Sequence, residues 1–143
     1  MLLPFSDRLQ RTTHFDPEMA RLADRHYSRV RVGSPQYAPP GKMLVLRDAL
    51  GTVLFVWSWQ QYRKDGQTGY NCSIFRNEST RVSSGIILEA EQAAVTLWGS
   101  GRAFTYVDET HVKSNNPGYC FKVAGWVLRG KSKTGKLLFV KYL

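Results

Sequence analysis

Four short stretches of the chain carry residue types able to do chemistry. The first is Arg76-Asn77-Glu78-Ser79-Thr80-Arg81-Val82-Ser83-Ser84-Gly85. It lies between a strand-like run and a helix-like run, where free backbone N–H groups and the aligned helix dipole make an anion site. Ser83 and Ser84 add hydroxyls, Gly85 permits close approach, and Arg76 and Arg81 add positive charge. The plainer alternative makes Ser83 an ordinary N-cap. The second stretch is His26-Tyr27-Ser28: a histidine serves as general base near neutral pH, and a tyrosine donates or accepts a proton. Both also sit on an apolar helical stripe, where a satisfied core histidine is the commoner outcome.

The third stretch, Asp108-Glu109-Thr110-His111, directly follows a strand. Carboxylates at the C-terminal end of a strand in an open sheet lie beside the usual ligand crevice. They are candidates for a base, a metal ligand or an acceptor from an adenine amine, or they cap the next turn. The fourth, Asn116-Pro117-Gly118-Tyr119-Cys120-Phe121-Lys122-Val123-Ala124-Gly125-Trp126, is a packing device as much as a site. Cys120 has no local His partner and reads as a small core residue. Trp57, Trp59, Tyr62 and Tyr70 could stack on a base or fill the core.

The elements that must position these residues are legible from periodicity and punctuation. Asp16 is a candidate N-cap with Pro17 at the first helical position. Met19, Leu22, Ala23, His26 and Tyr27 then form one stripe. A Pro/Gly loop follows at 33–41. Met43–Arg47 and Val53–Trp59 read as a hairpin around Asp48-Ala49-Leu50-Gly51, and Tyr70–Phe75 as a strand. Ile86, Ile87, Ala90, Ala93, Ala94, Leu97 and Trp98 mark a long helix that Gly99 stops. Ala103–Val107 is a further strand. Asn115 or Asn116 is expected to cap a short helix ending at Gly125. Trp126–Arg129 and Leu137–Tyr142 flank Lys131–Gly135 as a second hairpin. This order implies an α/β chain with a mixed sheet and helices on its faces. No GxGxxG follows the first strand, which disfavours a Rossmann fold.

Composition narrows the function classes. The chain has 143 residues, the common size of one domain, so 1–143 is expected to fold as one. No apolar run approaches the roughly 20 residues of a membrane span, and the start lacks the pattern of a signal peptide. Two cysteines argue for a reducing, cytoplasmic setting. No CxxC or HxxxH spacing supports structural zinc. Twenty Lys+Arg against eleven Asp+Glu give a net charge of +9. From His111 onward there are seven basic residues and no acid. Such a field concentrates polyanions. It suits nucleic acid or a nucleotide-like cofactor, unless it is only a solvated face.

Tyr70–Trp98, Ala103–Val107 and Asn116–Trp126 together resemble the cofactor half of the GNAT (N-acetyltransferase-like) superfamily. The resemblance covers roughly residues 70–143. It implies a central mixed, largely antiparallel sheet flanked by helices. It also implies acetyl-CoA or a related acyl-CoA, with its pyrophosphate at the start of the long helix and its thioester between two splayed strands. Arg76, Arg81, Val82, Ser83, Ser84, Gly85 and Asn116 would then be cofactor residues. Two departures stand out. Arg81-Val82-Ser83-Ser84-Gly85 replaces the usual Gln/Arg-x-x-Gly-x-Gly/Ala loop, and Phe121 stands where a tyrosine acid is usual, with Tyr119 nearby.

His26-Tyr27-Ser28, Val82-Ser83-Ser84 and Asp108 are similar to the Mom group of phage DNA-modification proteins. That likeness implies transfer of an acyl-derived, carbamoylmethyl-type group to adenine N6 in DNA, protecting phage DNA from restriction in the host cytoplasm. DNA and an acyl-CoA-type donor would be the partners, with no membrane. His26, Tyr27, Ser28 and Asp108 would be catalytic, orienting or deprotonating the amine, with Tyr119 as acid. The base would have to be flipped or single-stranded. The rivals are a conventional acetyltransferase on a protein or small amine, and a non-catalytic basic DNA-binding module. Whether a metal takes part, and the oligomeric state, stay open.

Overall fold

The structure is a computed structural model that describes residues 8–25, 41–61, 63–110 and 116–143. Its elements are β1 (Gln10–Thr12), α1 (Pro17–Asp24), β2 (Lys42–Arg47), β3 (Val53–Trp59), β4 (Tyr70–Asn77), α2 (Ser83–Trp98), β5 (Arg102–Val107), α3 (Tyr119–Val123), β6 (Val127–Lys131) and β7 (Leu137–Tyr142). One seven-stranded sheet runs in the order β1-β2-β3-β4-β5-β7-β6. Every neighbouring pair is antiparallel except β4 and β5, which are parallel because α2 crosses between them. This is the mixed, largely antiparallel sheet flanked by helices that the resemblance implies.

The central strand shows why. In β3, Val53 through Trp57 are fully buried, a continuous apolar run that suits a strand covered on both faces. On one face α1 sets Met19, Leu22 and Ala23 against Val45, Leu54, Val56 and Ile74. On the other, α2 and α3 set Ile87, Ala90, Ala94 and Phe121 against Phe55, Trp57, Cys72 and Phe139. Each such side chain removed from water is worth about 1.5–3 kcal/mol. Two indoles grip the middle of α2: Trp57 Nε1 donates to the Ala90 carbonyl (2.9 Å) and Trp126 Nε1 to Glu91 Oε2 (3.0 Å). Lys141 on β7 completes this knot, donating to Glu91 Oε1 and the Ala124 carbonyl, each at 2.7 Å.

Asp16 caps α1 as expected, its Oδ1 accepting from the N–H groups of Glu18 (3.0 Å) and Met19 (3.3 Å). Two expectations change and one alternative is set aside. β1 is an additional edge strand. The position before α2 is Val82, with no side-chain cap, and Ser83 is already helical. The short helix is preceded by Gly118 in the left-handed region, not capped by Asn116. A glycine is needed at 118 because a Cβ would lie 2.5 Å from the Phe139 ring. α1 ends at Asp24, and His26, Tyr27 and Ser28 lie outside the described residues.

Candidate functional site

The site grows from a gap in the sheet. β4 and β5 pair only through Tyr70↔Ala103, Asn71↔Phe104 and Cys72↔Thr105. Beyond that point β4 runs on to Asn77 bonded only to β3, and β5 to Val107 bonded only to β7. The parting is built in. Val56 and Trp57 of β3 face Ile74 and Cys72, so Ser73 is the extra residue of a bulge. A bulge bends its strand and ends local pairing. The Thr105 hydroxyl donates to the Cys72 carbonyl (2.8 Å) and closes the last rung. The sheet is therefore open between the C-terminal halves of β4 and β5.

At the mouth of this opening the β4–α2 loop is shaped by Asn77. Its Oδ1 accepts from Ser79 N (2.9 Å) and Ser79 Oγ (2.5 Å). Its Nδ2 donates to the Arg81 carbonyl (2.9 Å) and Ser83 Oγ (3.0 Å). Among the described residues, the N–H groups of Val82, Ser83 and Ser84 have no acceptor, and the first turn of α2 holds no acid. The positive end of α2 is thus unneutralised. Its chain neighbours and the backbone of its own helix aside, no described atom lies within 4 Å of where a Cβ on Gly85 would stand. Free donors, positive dipole and space together suit phosphate oxygens.

The predicted cofactor residues Arg76, Arg81, Val82, Ser83, Ser84 and Gly85 are therefore gathered at this junction. Arg76 is a strut there: its Nε donates to Glu78 Oε2 (3.0 Å) and its NH1 to the Arg25 carbonyl (3.0 Å). Arg25 makes a two-point contact with the same Glu78, at 2.7 and 3.0 Å. Arg25 foremost, with Arg76 beside it, holds the Glu78 carboxyl below its usual range although burial opposes them. Arg81 lies 3.5 Å from Glu89.

Asp108 stands at the C-terminal end of β5 and accepts from Thr110 N (3.0 Å) and Thr110 Oγ1 (2.6 Å), which is the turn-capping alternative. It is at the same end of the sheet as the opening. Asn116 accepts from Lys122 Nζ (2.5 Å) beside α3. Phe121, on the inner side of α3, packs edge-on against Phe75 of β4 and Trp126 and is stacked against Phe139 of β7. Tyr119 is two residues away, about 200° round the helix, and 61% exposed. Burial pushes the thiols of Cys72 and Cys120 up, so neither is a ready nucleophile.

Asn77 and Ser79 were not singled out from the sequence. The available signal was Asn-x-Ser directly after a strand, a pattern that bonds its own backbone two residues on. A surface depression of about 540 Å³, lined by residues including Arg11, His14, Phe15 and Val45, lies on the α1 side and gathers none of the predicted residues. Among the described residues no cluster of His, Cys, Asp and Glu could hold a metal, and no helix is long and apolar enough to cross a membrane.

No family model and no curated protein matches the sequence. Among solved structures, an acetyltransferase from Thermus thermophilus superposes with a TM-score of 0.59, at 13% identity, over 95% of this chain and 97% of that one. The chain shares the fold of that acetyltransferase over nearly the whole of both molecules.

Proposed function

We propose that this chain is an acyl-type transferase of the GNAT kind whose acceptor is the N6 amine of adenine in DNA. The observation that carries the transferase reading is the opening between β4 and β5 set beside the uncapped start of α2. An acyl-CoA-type donor suits that pair of features. Backbone N–H groups of Ser83 and Ser84 would hold its phosphates, Gly85 would give them room, and Asn77 would keep the loop in shape. Bound there, the donor supplies an activated carbon. The chain's own task is to hold the donor, exclude water and orient the amine.

The DNA reading rests on charge and on the departures from the usual GNAT pattern. Phe121 offers no proton, and the excess of +9 has a natural partner in phosphate. Asp108, with His26, Tyr27 and Ser28, would orient or deprotonate the amine of a base taken out of the stack. Tyr119 would be the acid that protonates the departing thiolate of the donor.

The test is to express the protein in a bacterium, digest the DNA and weigh the nucleosides. The expected result is a deoxyadenosine of increased mass, lost in Gly85→Val. Unmodified deoxyadenosine, with purified protein that is still stabilised by acyl-CoA, would overturn the DNA acceptor and leave a transferase of a protein or small amine. No stabilisation by acyl-CoA and no product would overturn the whole reading.

A further inference from the structure

We infer that the C-terminal hairpin is the surface that grips the DNA phosphate backbone, through Arg129, Lys133 and Lys136. The inference rests on the DNA reading above.

β6 is the last strand of the sheet, and all five of its residues are exposed. From residue 116 to 143 there are six basic residues and no acid. Three of the six have partners. Lys141 is turned inward to Glu91, Lys122 donates to Asn116, and Lys131 lies 3.2 Å from Glu109. Among the described residues Arg129, Lys133 and Lys136 have no carboxylate partner. They form a cationic rim whose counterion must come from outside the fold.

The shape of the rim selects among anions. Leu128 faces Phe139 and Gly130 faces Leu138, so Arg129 is the extra residue of a bulge in the edge strand. A bulge carrying a charge blocks the addition of another strand. An acidic peptide pairing along β6 is thereby disfavoured. Two copies meeting edge to edge would also set like charges against each other. Phosphates need no strand register, only reachable cations.

Position ties the rim to the opening. Val107 of β5 faces Leu137 of β7, and Leu137 faces Lys131 of β6. The tip of the hairpin is therefore at the same end of the sheet as the mouth between β4 and β5. Only β7 lies between β5, which borders the mouth, and β6, a lateral offset of about 10 Å between those two strands, similar to the roughly 12 Å width of the major groove. The Lys131–Glu109 pair joins the tip to the loop that leaves β5. A phosphate on the rim and a base at the opening can thus belong to one DNA molecule. The rim supplies affinity without sequence, and selection is left to the opening.

The test compares two triple variants that each remove three positive charges: R129Q/K133Q/K136Q at the rim, and R8Q/R21Q/K64Q elsewhere on the surface. Affinity for an adenine-containing oligonucleotide is measured across a salt series. The rim variant is expected to flatten the slope of log K against log salt by about 2–3 and to bind at least about tenfold more weakly near 0.1 M salt. The control variant is expected to change the slope by less than about 1, and acyl-CoA should stabilise both as it does the parent. Equal weakening of the two variants overturns the inference and leaves the DNA reading standing. So does polyglutamate that competes as well as DNA at matched charge, which assigns the rim to an acidic protein. Absence of any DNA binding by the parent protein overturns the DNA reading and the rim with it.

Discussion

The β4–β5 pair has a tight end and an open end, and glycine serves opposite purposes at the two. Where the strands are bonded, a Cβ on Gly69 would overlap the Arg102 carbonyl oxygen, and one on Gly101 would lie 3.0 Å from the Tyr70 ring. The Tyr70 hydroxyl closes that end by donating to the carbonyls of Trp98 (3.1 Å) and Gly99 (2.9 Å). Where the strands part, a Cβ on Gly85 would meet nothing described beyond its chain neighbours and its own helix. Packing explains the first glycines. It does not explain Gly85, and a residue whose small size the fold does not require is a pointer to what binds there.

That contrast can be broken. The largest expected effect is Gly69→Ala, which adds a clash to a φ of 102°. It should cost about 3 kcal/mol or more, read by urea unfolding. Asn77→Ala at the open end leaves four polar contacts without their partner and should cost about 1–3 kcal/mol. It should also weaken acyl-CoA-dependent stabilisation. Asn77→Asp keeps the acceptor for Ser79 but loses both donated bonds, and should fall between the parent and Asn77→Ala. Gly85→Ala has the opposite sign for stability, up to about 1 kcal/mol in favour of the helix, while lowering donor affinity. A Gly85→Ala protein that is more stable and binds the donor as well as the parent would remove the functional explanation of this glycine.

The smallest effect concerns the loop that leads into the tight end. Arg63 foremost, then Gln67 N–H and Tyr106, hold the Asp65 carboxyl at about 2 although burial opposes them. The folded form thus binds a proton less readily than the unfolded one. The stabilisation is present above about pH 4 and is lost as the pH falls towards 2. Asp65→Asn should flatten the acid side of a thermal-stability profile in that window. At neutral pH the cost should be below about 1 kcal/mol, because the pair lies at the surface.

Much of this architecture was legible because local signals agreed with the global fold. The apolar period of residues 86–98, the Gly99 stop and the hairpin punctuation predicted α2, β2–β3 and β6–β7 to within a few residues. β1 was hidden because Gln10-Arg11-Thr12 is short and polar, and its pairing with β2 supplies the order. Serine is a good capping residue, so the sequence leaves open an N-cap at Ser83; the chain puts Val82 there and sets that alternative aside. The charge of Arg76 is legible in the sequence, but its contacts in the fold are not. Its strut role depends on Arg25, which is 51 positions away and invisible to any local pattern. The opening itself was implied only by resemblance, since strand register is a property of the whole sheet.

The grip of two indoles on α2 has a spectroscopic consequence. Trp57 and Trp126 are 0% and 3% exposed, lie 6.2 Å apart and nearly parallel, and are bonded to consecutive residues of one helix. Trp59 and Trp98 pack together at the tight end, with Lys42 over the Trp59 ring. Replacing that outer pair with phenylalanine leaves emission from two buried indoles that both report on α2. Any ligand that draws on the start of this helix then acts on a rod whose middle is optically labelled by the protein itself.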